Sequence, residues 1–217
     1  MSWADHAGRA SLQAIDPATA ALLVIDMQNG FCHPEGTLGI SGVDVTPLRA
    51  VIPRIRDLVG RFAERGLPIL WTVQYNLERD ATRERRALPH HTSRRRRVVG
   101  VVGTWDAELV EELAPLASRP ELVIVKHRFG GFFGTRLEVM LRMLGVQALF
   151  VTGVAANTCV DTTIREAYMR DYDVVAVTDC IGALRPDWGR LALQVWEAFF
   201  AVPATSADVA AWLGRRG

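Results

Sequence analysis

The chain has 217 residues, 49% of them hydrophobic and 23% charged, with a formal net charge of +1. That length holds one domain with a sizeable core, and that composition excludes a disordered chain. The balanced charge gives no electrostatic footprint for nucleic acid or an anionic membrane. Three cysteines, Cys32, Cys159 and Cys180, are too few and too irregularly spaced for a disulfide framework, and they suit a reducing compartment. The first twenty residues carry no apolar signal core, and no apolar run approaches the ~20 residues of a membrane span. The expectation is one domain over 1–217, cytoplasmic, with no membrane or nucleic-acid partner.

In chain order, "AALLVIDM" is a short apolar run that ends at Asp26. "TPLRAVIPRIRDLVGRFAERG" repeats near 3.6 residues and reads as a helix closed by Gly66, with a kink or delayed start at Pro53. "LPILWTV" is a second strand and "ELVIV", ending at Lys126, a third. Thr135 and Glu138 have capping-box spacing ahead of "LEVMLRML", which Gly145 closes. "ALFVTG" is a fourth strand, followed by a helix over about 158–170. "YDVVAVTD" is a fifth strand, "DWGRLALQVWEAF" a helix and "FFAVPA" a short sixth strand. Strands apolar on both faces and separated by helices predict an α/β/α sandwich around a mostly parallel, Rossmann-like sheet of five to six strands. Right-handed crossovers then bring every strand's carboxyl end to one edge, where open sheets bind ligands. The segment over about 75–103 breaks the rhythm. It starts at that edge and reads as a lid over the site.

Asp26, Lys126 and Cys159 all fall at this edge. Each has a bland alternative: a helix cap, a solvated lysine, an inert core thiol. Together they bring an acid, an ammonium and a thiol to one place. A helix start and a lysine both favour the thiolate. The carboxylate can take the thiol proton and pass it to a leaving nitrogen. Small residues between Gly153 and Cys159 let backbone N–H groups approach an oxyanion.

At these residues, in "LLVIDMQNGF", "VIVKHRFGGFFGTRLEVMLRMLG" and "LFVTGVAANTCVDTTIREAYMRDYDVVAVTDC", the chain resembles the isochorismatase-like cysteine hydrolases. The resemblance covers about 19–200. It implies an Asp–Lys–Cys triad at Asp26, Lys126 and Cys159, and a cis peptide between Val154 and Ala155 beside the oxyanion site, which these two residues form with Cys159. Isochorismatases proper lack the cysteine. Nicotinamidases of the family carry Asp-x-His and a further His after the second strand to hold a metal. Here that place reads "WTVQYNLERD", and the adjacent His90 and His91 are poorly spaced for two ligands, so neither metal nor cofactor is expected. The "KHRFGGFFGTRL" block looks most like ureidoacrylate, biuret and other N-carbamoyl amidohydrolases.

Phe31, Gln74, Tyr75, Phe129 and Phe132 follow the strand ends and are the candidate substrate-binding residues, with core packing the alternative for the aromatics. Gln74 can both donate to and accept from a ureido or amide group. The run Arg94–Arg97 is a solvated loop, or a grip on a substrate carboxylate. The apolar "WEAFFAVPATSADVAAWL" suggests subunit contact in a homodimer or homotetramer. Three readings compete: a cysteine amidohydrolase of a small ureido, carbamoyl or amide compound working through a covalent thioester or thiocarbamate; a nicotinamidase-like or other small-amide or ester hydrolase of the same fold; and an idle scaffold whose arginine-rich loop binds a partner or nucleic acid.

Overall fold

The computed structural model describes residues 12–81 and 97–214. Six strands form one sheet: β1 (Ala20–Ile25), β2 (Ile69–Gln74), β3 (Val123–Lys126), β4 (Ala148–Val154), β5 (Asp173–Gly182) and β6 (Val202–Ala204). Their order is β3-β2-β1-β4-β5-β6, and each neighbouring pair is parallel. Winding therefore reverses between β1 and β4, and that switch point is where open sheets of this kind form a crevice. Both strands are buried along their whole length, as their unbroken apolar runs require.

Among the described residues, five helices of seven residues or more cover the sheet: α1 (Ile52–Glu64), α2 (Leu137–Met143), α3 (Asp161–Tyr168), α4 (Pro186–Phe199) and α5 (Ser206–Leu213). On one face α1 inserts Ile55, Leu58 and Phe62, and α5 inserts Val209 and Trp212. Phe150 of β4 meets Phe62 and Trp212 there, with ring centroids 5.4 and 4.6 Å apart. On the other face, Leu137 and Leu141 of α2, Ile164 of α3 and Trp196 of α4 pack on Leu149 and Val151. Successive β4 residues thus feed opposite layers, as a period of two dictates.

Pro53 is the second residue of α1, and a separate turn at Thr46–Arg49 precedes it, so the delayed start is the one adopted. The capping box at Thr135 and Glu138 does not form. Thr135 Oγ1 accepts from Leu137 N at 3.1 Å, but Glu138 turns outward to Arg142 and Arg170. Two charged partners outcompete one backbone N–H. Within the suggested contact segment, Phe199 is exposed, whereas Val209 and Trp212 belong to the core.

Gly153 is required where β4 passes β1. Its φ is +107°, and a Cβ there would lie 2.1 Å from Ile25 O. The clash is with backbone, which cannot swing aside. Gly153→Ala is expected to lower the unfolding free energy by about 2 kcal/mol or more. A urea unfolding midpoint equal to wild type would contradict this account of the crevice.

Candidate active site

The carboxyl ends of the central strands align so that Ile25 pairs with Thr72 on one side and Gly153 on the other. Asp26 follows directly, with φ +51°, a left-handed conformation that aspartate tolerates better than most residues. Its N–H donates to Thr72 O at 3.1 Å, and its Oδ1 accepts from Thr72 Oγ1 at 2.7 Å. Gln28 ties the next turn down. Its Nε2 donates to Ala107 O and Gln74 O, and its Oε1 accepts from Gln74 N.

Lys126 ends β3 opposite Gln74 and is fully buried. Its Nζ donates to Gln74 Oε1 at 2.9 Å, Arg128 O at 3.0 Å and Cys159 Sγ at 3.4 Å. Asp26 Oδ2 lies 2.7 Å from Nζ as an ion pair. A buried ammonium is tolerable only with this density of acceptors. Burial alone would pull Lys126 down. Asp26 and then Cys159 more than offset that, so its affinity for the proton is raised and it stays charged.

Cys159 lies in a π-helical turn, Ala156–Val160, that runs into α3. Such turns are rare and concentrate at functional sites. The peptide between Val154 and Ala155, just before the turn, is cis. Sγ is 3.5 Å from Gln74 Oε1, so the thiol, the ammonium and this amide oxygen meet at one point. Burial pushes the thiol up to about 12; Lys126 opposes this, while Asp26 adds to it by charge and hydrogen bonding. The helix start and the lysine favour the thiolate, as the sequence suggests, but burial opposes them here and holds the thiol's proton affinity above its ordinary value. The lost hydration of a buried sulfur outweighs one ammonium whose charge is already shared with a carboxylate. Proton removal must accompany attack. Alkylation of Cys159 by iodoacetamide is expected to keep rising with pH beyond 9, since the reactive form is the thiolate and its pKa is raised. A rate that levels off below an ordinary thiol pKa of ~8.5 contradicts this.

Asp26 and Cys159 open into a cavity of about 120 Å³. Lys126 stands behind them, outside the lining. Phe31, Gln74 and Phe129, all anticipated, line it, as do Val154 and Ala155. Tyr75 and Phe132 do not. Tyr75 N donates to Lys126 O, which extends the pairing of the strands, while its ring is outside the lining. Phe132 packs beside Tyr172 in the core, with Arg170 over its ring at 4.9 Å, so its alternative role as a core aromatic is the one observed. Unanticipated lining comes from Asn76, Val99, Asn157, Leu184 and Trp188. Asn76 was the one with a signal: it lies two residues beyond Gln74, on the same side of an extended chain. Of the suggested lid, 82–96 lie outside the described residues, and so do His90, His91 and Arg94 to Arg96; Arg97 is exposed. Among the described residues no group of three His, Cys, Asp or Glu is placed to hold a metal ion, and no helix is long and apolar enough to cross a membrane.

The fold and this cluster define a doubly wound α/β protein with a buried thiol, acid and ammonium at its switch-point crevice. The isochorismatase domain family matches residues 20–208, and the chain belongs to that family of isochorismatase-like cysteine hydrolases. Among solved structures, it is similar to an isochorismatase family protein from Desulfovibrio vulgaris, with 29% identity over 91% of this chain and 99% of that one, at a TM-score of 0.75. A nicotinamidase from Bacillus subtilis matches with 26% identity over 86% and 99% of the two chains, at 0.73. An N-carbamoylsarcosine amidase from Thermoplasma acidophilum matches with 25% identity over 87% and 96%, at 0.69.

Proposed function

We propose that the protein is a cysteine amidohydrolase that cleaves a C–N bond of a small ureido, carbamoyl or amide compound, with Cys159 as nucleophile, Asp26 as proton carrier and Lys126 as their electrostatic partner. The observation that carries this is the buried Cys159 thiol 3.4 Å from the Lys126 ammonium, which itself lies 2.7 Å from Asp26, with Cys159 and Asp26 both opening into one small cavity. As Sγ closes on the carbonyl carbon, Asp26 takes its proton, so no free thiolate needs to accumulate. The ammonium of Lys126 stays put and stabilises the sulfur's developing charge. Backbone N–H groups around Ala155 and Cys159 receive the oxyanion in this reading. Asp26 then protonates the departing nitrogen, which leaves as ammonia or, where the carbamoyl NH₂ stays on the acyl carbon, as an amine. Water activated by Asp26 opens the thioester or, from a urea-type substrate, the thiocarbamate. Apolar Phe31, Leu184 and Trp188 line part of the cavity and lower its polarity, which strengthens each of these interactions.

The urea-type preference is supported by the polar amides of Gln74 and Asn76, which both line the cavity. An ammonia-release screen over ureido acids, biuret, carbamoyl amino acids, nicotinamide and simple amides tests it. Ureido or carbamoyl compounds should be turned over best, and exhaustive chelation should leave the rate unchanged. Turnover confined to nicotinamide, or activity lost on chelation and restored by zinc, iron or manganese, counts against the urea-type, metal-free proposal and leaves the triad standing.

A further inference from the structure

Asn76 is buried, yet the role of its side chain is only half explained by packing. Its Nδ2 donates to Val99 O at 2.6 Å. A carbonyl can only accept, so this bond fixes which end of the amide is which. Its backbone is pinned as well: Asn76 N donates to Gly100 O at 2.9 Å, and Val102 N donates to Asn76 O at 3.0 Å. The remaining atom, Oδ1, has no protein partner among the described residues, and it is not one of the buried polar atoms walled off without one. Because Asn76 lines the cavity and is otherwise enclosed, the open space that Oδ1 meets is the cavity. Gln74 has the opposite polarity. Its Oε1 accepts from Lys126, so its Nε2, with no protein acceptor among the described residues, is the donor left over for the cavity. Two residues apart on an extended segment, they offer one acceptor and one donor side by side.

We infer that Asn76 is a specificity-determining residue, whose Oδ1 accepts a hydrogen bond from the NH₂ of a carbamoyl group held over Cys159. This rests on the amidohydrolase proposal and narrows it: the acyl part of the substrate carries an N–H that an alkyl acyl group lacks. A fixed acceptor discriminates strongly, because an ester or ketone isostere leaves Oδ1 desolvated and unpaired. The lone pairs of Oδ1 cannot be turned away, since Nδ2 is committed to Val99.

The test uses 4-nitrophenyl carbamate and 4-nitrophenyl acetate, which differ at the attacked carbonyl only in NH₂ against CH₃. With either reagent Sγ forms an S–C bond, the C–O bond to nitrophenolate breaks, and the thiol proton passes to Asp26. The readouts are nitrophenolate release above the enzyme-free rate and the mass of the adduct on Cys159. Asn76→Ala is expected to slow carbamoylation roughly 10- to 100-fold while acetylation changes by less than about threefold. Asn76→Asp keeps an acceptor oxygen but gives up the N–H donated to Val99 O. It should retain the preference for carbamate if the acceptor sets it. Equal loss of both reactions in Asn76→Ala, no loss of either, or loss of the preference in Asn76→Asp overturns the inference and assigns Asn76 to tethering Val99. Failure of both reagents to modify wild-type Cys159 is a separate result, which removes the nucleophile and the inference with it.

Discussion

Cys159→Ala is expected to abolish turnover, by about 10⁴-fold or more, with the unfolding midpoint close to that of wild type. The effect on rate is large because no other thiol can substitute. Cys32 and Cys180 are both buried outside the cavity, and burial raises both thiols, Cys180 to about 12. The effect on stability is small because the change removes one sulfur from the wall of an existing cavity and leaves no charge unpaired. Cys159→Ser should be nearly as inactive. A serine hydroxyl is a far weaker acid than a thiol, and a carboxylate cannot take its proton easily. Ammonia release assayed on the best substrate, with circular dichroism on the same samples, checks both halves. Activity within tenfold of wild type in either variant removes the covalent mechanism.

Asp26→Asn and Lys126→Met should each slow the reaction by ~10² or more. Their effects on stability should differ from their effects on rate. Each single change strands a charge in a site from which water is excluded, because Asp26 and Lys126 are almost wholly buried and 2.7 Å apart. Breaking such a pair from one side typically costs ~3–5 kcal/mol, whereas removing both charges costs much less. The double variant is therefore expected to be more stable than at least one single variant, yet no more active than either. Rate losses should not multiply, since the two groups serve one proton transfer. Urea unfolding and steady-state rates on the four proteins form a complete cycle. Stability losses that add, together with rate losses that multiply, would show two independent residues.

The outline of this site was legible because two of its chemical groups stand at strand ends and the third follows within one turn of another strand's end. A strand ending in Asp26, another in Lys126 and a third leading to Cys159 can be placed from apolar periodicity alone, and parallel topology then gathers them. What was not legible depends on side-chain direction and on neighbours far along the chain. Phe132 and Phe129 are three residues apart in one glycine-rich loop, yet one joins the core beside Tyr172 and the other lines the cavity. No periodicity distinguishes them. Glu138 had the right spacing for a capping box, but Arg170, 32 residues further on, claimed its carboxylate. The thiol's raised proton affinity was missed because desolvation depends on enclosure. Proximity to a lysine is visible in a motif, whereas the exclusion of water is not.

The strand order also governs how the molecule comes into being. β1 lies at the middle of the sheet, and one of its neighbours, β2, follows soon after it. The other, β4, is far downstream: Thr152 Oγ1 donates to Leu23 O across 129 residues of chain. At ~5–20 residues per second, a ribosome delivers that partner roughly ten seconds after β1 has been made. Through that interval one edge of the most apolar strand, "AALLVI", has no native neighbour. The nascent chain thus carries an open template for strand pairing until two thirds of it has been synthesised. Closing that edge also brings the end of β1, with Asp26, beside the strand that leads to Cys159, so the proposed nucleophile seat can assemble only once the stickiest strand has found its neighbour.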